Sequence, residues 1–96
     1  MPTCYQSGER RFPLGALYTT AEASRTLPPE DITEALSRHA RGDWGDLCQE
    51  DRDLNESALR DGNRLLSVYY AGNGVKFWIV TEADRRATTV LLPDDY

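Results

Sequence analysis

Two stretches, residues 64–71 and 75–81, are dominated by β-branched, aromatic and leucine side chains, and only Gly72-Asn73-Gly74 separates them. A short Gly/Asn link reverses an extended chain with little strain, because both residues tolerate the positive φ that tight hairpins need. The pair therefore reads as a β-hairpin. A polar link at residues 82–87 leads into residues 88–92, a third strand-like run that Pro93 stops. The C-terminal third is expected to be a three-stranded antiparallel meander. Alternation sets Leu66, Val68 and Tyr70 against Leu65, Ser67 and Tyr69, and Phe77 and Ile79 against Trp78 and Val80. Neither face is cleanly polar, so helices must cover one while the other still shows large apolar groups.

Upstream the period changes. Pro29, Glu30 and Asp31 suit a helix start, Ile32, Ala35, Leu36 and Ala40 recur at helical spacing, and Arg38, Arg41 and Gly42 suit its end. This predicts a helix over 29–41. A further helix over 49–61 begins acidic, turns Leu54, Ala58 and Leu59 inward, and ends at Gly62. Thr19 and Glu22 have capping-box spacing, which predicts a short helix that Pro28 stops. Residues 12–19 read as a short strand, which Pro13 and Gly15 confine to an edge. Residues 1–11 carry Gly, Pro, Ser and paired Arg without period and are expected to be a flexible arm.

The fold class that follows is α+β: an N-terminal short strand and two to three helices packed on one face of the meander, in a single domain over 12–96. A chain of 96 residues has little spare volume for a deep pocket, so an enzyme of this size would use a shallow groove. No window approaches the roughly 18 apolar residues a bilayer span needs, and no secretory leader is legible, so a cytoplasmic protein with no membrane partner is expected. Cys4 and Cys48 fit that compartment as free thiols, with a disulfide between them as the alternative. Two cysteines and one histidine, His39, do not make a metal pattern; no metal and no cofactor are expected.

The net charge of −5 is concentrated. Residues 1–42 and 62–96 each balance to zero. Residues 43–61 hold Asp43, Asp46, Glu50, Asp51, Asp53, Glu56 and Asp61 against Arg52 and Arg60, which accounts for the whole excess.

The string Gly42-Asp43-Trp44-Gly45-Asp46-Leu47, with Asn55, Ala58-Leu59, residues 64–69, Trp78-Ile79, residues 81–85 and residues 88–93, resembles a group of small hypothetical proteins of plasmids, phages and integrated mobile elements. Some of these are loosely labelled type I restriction accessory or plasmid-related proteins. The resemblance covers a little over half the chain and implies no chemistry. It implies a setting of conflict between mobile elements and their hosts.

Four candidate sites follow. The carboxylates between Asp43 and Glu56 would steer encounter with a cationic partner; their bland reading is a solvated helix face. Trp44, between glycines, is either a recognition knob or, more in keeping with a small core, a plug. Tyr69, Tyr70, Phe77 and Trp78 could stack on bases, but a stacking platform normally accompanies a cationic groove, so direct nucleic-acid binding is not expected; core packing or a homodimer fits better. Arg64, Tyr69, Arg85, Arg86 and His39 are the pieces of a toxin-type ribonuclease, against which the acidic charge counts; His39 reads instead as a helix C-terminal cap.

The expected function is therefore a non-catalytic interaction protein of a mobile element, with no catalytic residues, inhibiting a host defence complex of the anti-CRISPR or anti-restriction type. Its partner is a host or defence-complex protein with a basic surface. The expected contact residues are Asp43, Trp44, Asp46, Glu50, Asp51, Asp53 and Glu56. The alternatives are the ribonuclease and a dimeric structural or regulatory accessory protein.

Overall fold

A computed structural model describes residues 10–96. The chain runs β1 (Ala16–Thr19), α1 (Ala21–Thr26), α2 (Pro29–Ala40), α3 (Gln49–Asp61), β2 (Leu65–Tyr70), β3 (Lys76–Thr81), β4 (Ala87–Leu91) and a closing 3₁₀ turn, Pro93–Asp95. The architecture is α+β, and β2-β3-β4 form the expected antiparallel meander. The sheet has four strands rather than three, in the order β1-β4-β3-β2. β1 does not pack on a face; it extends the sheet by pairing parallel to β4, with Leu17 opposite Thr88 and Thr19 opposite Val90. Parallel pairing needs a long connection, and here it runs through the three helices and the β2–β3 hairpin.

Local chemistry explains the element boundaries. The Ala71 N–H donates to the Val75 carbonyl at 2.9 Å and closes the hairpin, with Gly74 at φ 87° taking the left-handed turn position. α2 starts with Pro29 in its first turn and acids beside it. α3 ends on Gly62 at φ 76°, whose N–H returns to the Ala58 carbonyl. The cap of α1 lies one residue later than its sequence spacing suggests. Thr20 Oγ1, not Thr19, accepts the Ala23 N–H, and the Thr20 hydroxyl also donates to Asp95 at 2.6 Å.

Helices cover the sheet face that carries Leu65, Ser67, Tyr69, Phe77, Ile79, Thr81, Thr88 and Val90, all of them buried. One apolar cluster joins Ala23, Leu27 and Ala35 to Tyr69, Phe77, Ile79 and Val90. A second joins Phe12, Leu14, Ala40, Trp44, Ala58 and Leu65. Phe12 and Leu14 are therefore core side chains, and β1 begins only after them. Of the expected N-terminal arm, residues 1–9 lie outside the described residues. Arg11 is tied down, its N–H donating to the Ala40 carbonyl at 2.7 Å. Cys48 is exposed; Cys4, and with it any pairing, lies outside the described residues. No helix among the described residues is long and apolar enough to cross a membrane.

Candidate functional site

The loop between α2 and α3 is held as an extra rung on the outer edge of β2. The Val68 N–H donates to the Trp44 carbonyl at 3.1 Å, and the Asp46 N–H donates to the Val68 carbonyl at 2.8 Å. Two residues earlier on β2, the Asn55 side chain clamps the Leu66 backbone, donating to its carbonyl at 2.7 Å and accepting its N–H at 3.2 Å. Arg52 staples the loop from the other side, donating to the carbonyls of Leu47 and Gly45 at 2.9 and 2.8 Å. Gly45 sits at φ 78° against β2, where a Cβ would collide with the Val68 carbonyl oxygen. The loop and the first turns of α3 form one braced ledge.

Trp44 anchors that ledge from within. It is 2% exposed, stacked 6.2 Å from Phe12 and edge-on to His39 at 5.7 Å. Its Nε1–H donates to Glu56 at 3.0 Å. The expected contact role of Trp44 is thereby corrected: a small core fills its centre with its largest ring, and no part of a recognition knob is on the surface. Asp43 and Glu56, half-buried, are each paired within the chain. The Arg38 guanidinium grips Asp43 with bonds of 2.7 and 3.3 Å and holds its carboxyl below the usual range. Arg11 grips Glu56 with bonds of 3.0 and 2.8 Å and lowers it in the same way. Both acids brace the loop.

Asp46, Glu50, Asp51 and Asp53 remain. All four are exposed, and no cation among the described residues pairs with them. Asp53 accepts only the neutral Gln49 amide, at 2.9 Å. Glu50 and Asp51 lie in the first turn of α3, where the helix dipole favours them. Leu54, expected to face inward, stands 64% exposed beside them, because Asn55 and Ala58 take the buried side of α3.

The residues of the ribonuclease reading do not meet on a surface. His39 is fully buried, bonded to Ser67 Oγ at 2.6 Å and Thr81 Oγ1 at 2.8 Å; it is a core residue rather than a helix cap. Tyr69 is 3% exposed; burial pushes its phenol up to about 12, and its hydroxyl donates to the Asp43 carbonyl. Arg85, at φ 62°, donates to the carbonyls of Ala58, Asn63, Glu82 and Ala83 and serves as the clasp between α3 and the β3–β4 turn. Arg64 lies over the Tyr96 ring at 5.9 Å, and Arg86 is exposed with a loose Asp84 contact of 3.6 Å. Among the described residues no cluster of three or more His, Cys, Asp or Glu is placed to hold a metal ion.

Sequence reasoning missed the buried polar chain around His39. Ser67, Thr81 and Thr88 occupy inward strand positions, and three hydroxyls on a covered face need polar company; that was the legible signal. Comparison with known protein families, curated proteins and solved structures finds no match.

Proposed function

We propose that this protein is a non-catalytic interaction protein that docks on a cationic protein surface through the ledge of Asp46, Glu50, Asp51 and Asp53, with exposed Leu54 as its apolar contact. The observation that supports this reading is the contrast within one acidic stretch. Asp43 and Glu56 are spent on internal arginines, while four neighbouring carboxylates stand free on a braced scaffold. Bracing lowers the ordering cost of association, and clustered like charge speeds encounter with an opposite surface. Cationic protein surfaces of this kind commonly exist to hold nucleic acid or an acidic subunit. With the mobile-element resemblance, the partner class is a host defence complex whose basic groove the ledge occupies.

The test begins with capture of the partner from host extract, followed by titration of the purified pair across salt concentrations. The triple variant Asp46→Lys, Glu50→Lys, Asp53→Lys is expected to bind at least about tenfold more weakly while remaining folded, losing about 1–2 kcal/mol of stability because Glu50 leaves the positive end of α3. Affinity indifferent to both salt and charge reversal would remove the reading.

A further inference from the structure

The two edges of the sheet are treated oppositely. On β2 the outward backbone groups of Leu66 and Val68 are filled by Asn55 and by the Trp44–Asp46 loop. On β1 all four residues are exposed, and none is charged or proline. The N–H groups of Ala16 and Thr20 donate inward, to the carbonyls of Arg86 and Val90. Backbone alternation then aims the N–H and C=O groups of Leu17 and Thr19 away from the sheet, and no described residue meets them. Natural sheets blunt such an edge with charge, proline, a bulge or a cover. Among the described residues this edge has none of these, and only its shortness, four residues, limits it.

Beside the edge lies a groove of about 300 Å³ between β1 and α2. Leu14, Leu17, Leu36 and Ala40 supply its apolar lining, and among the described residues Arg10 is the one charged residue that lines it. Arg10 has no carboxylate partner among the described residues, whereas Arg11, Arg25 and Arg38 each have one.

We propose that β1 and this groove take up an extended peptide segment of a partner protein, one that adds a strand to β1, sets an apolar side chain into the groove and brings a carboxylate to Arg10. Strand addition supplies affinity through main-chain bonds and specificity through alternate side chains. Charge selects the acidic peptide. Area selects a peptide over a second copy of this chain: β1 offers two large apolar side chains, Leu17 and Tyr18, which point to opposite faces, and a stable dimer needs roughly 800 Å² from each partner.

The experiment is amide hydrogen exchange on the full chain, alone and with a short blocked peptide of alternating valine and threonine between terminal glutamates. In the free, dilute protein the Leu17 and Thr19 amides should exchange freely. The probe should slow both by roughly tenfold or more, saturably. A probe with glutamine for glutamate, or the variant Arg10→Gln, should bind roughly threefold to tenfold more weakly. Thr19→Pro removes an outward donor without touching a β1–β4 bond, and Leu17→Asp guards the edge by charge; both should abolish protection, and if the proline variant fails to fold the aspartate variant decides. Three results would overturn the proposal: no protection at millimolar probe, protection that survives Leu17→Asp, or protection already present without probe. The last would mean that the chain's own residues or a second copy occupy the edge.

Discussion

His39 Nδ1 and Ser67 Oγ lie 2.6 Å apart with both side chains completely buried, and the direction of that bond can be assigned. The Leu14 carbonyl can only accept, so the Thr88 hydroxyl donates to it, at 2.7 Å. Thr88 then has no proton left for Thr81, 2.8 Å away, and must accept from it. Thr81 in turn must accept from His39 Nε2. Nε2 therefore carries a proton; burial keeps the ring neutral, so Nδ1 is bare and accepts from Ser67. One carbonyl at the start of the fold orients a proton chain through β4, β3, α2 and β2.

Acid should attack this chain first. Burial, with the Arg85 charge adding to it, lowers the His39 pKa from its ordinary 6.5 to about 3. Below pH 6.5 the unfolded chain takes up a proton that the folded chain refuses, so stability should fall from there towards pH 3, by an upper bound on the order of 4 kcal/mol. Asp43, Glu56 and Asp95 have lowered values and lose their contribution only as carboxylates protonate, at lower pH. Urea titrations at pH 7 and 5 should show the loss in the native protein, and His39→Gln, less stable at pH 7, should flatten it.

Trp44→Ala should cost about 3–5 kcal/mol in urea denaturation, because it empties the centre of the second core cluster. Trp44→Phe should cost less and leave Glu56 with Arg11 alone. A variant that kept full stability while losing partner affinity would return the indole to the interface.

Asn55→Ala should cost about 1–3 kcal/mol, because it orphans both backbone groups of Leu66 at once. Asn55→Asp keeps the shape and the acceptor but loses the donor to the Leu66 carbonyl, so it should be destabilised as well. Hydrogen exchange should report the Leu66 amide as the first to lose protection.

Two glycine substitutions separate backbone strain from collision. Gly62→Ala meets open space and carries only the left-handed φ of 76°, so it should cost about 1 kcal/mol. Gly45→Ala adds a clash with the Val68 carbonyl and should cost more than about 2 kcal/mol, read as the drop in Tm between the two variants.

Much of the secondary structure was legible because it depends on neighbours in sequence. The periods of 3.6 and 2, Pro29, Gly62 and the Gly72-Asn73-Gly74 turn locate α2, α3 and the meander within a residue or two. The sheet partner of β1 was not legible. Pairing with β4 joins positions some seventy residues apart, and four uncharged residues carry no mark of which strand they will meet. The candidate site divides in the same way. Sequence located the acids, but Asp43 and Asp46 look alike there, and only folding brings Arg38 to one and leaves the other in water.

The sequence by itself determined where the chain turns, where it coils, and that its negative charge gathers between residues 43 and 61. The tertiary structure alone decided that Trp44 and His39 are interior, that Leu54 is not, and that the β2 edge is met at Leu66 and Val68 while no described residue meets the β1 edge. The reason is physical. Propensity and capping act over a few residues, whereas burial, ion pairing and edge protection depend on which distant groups arrive in the same few ångströms.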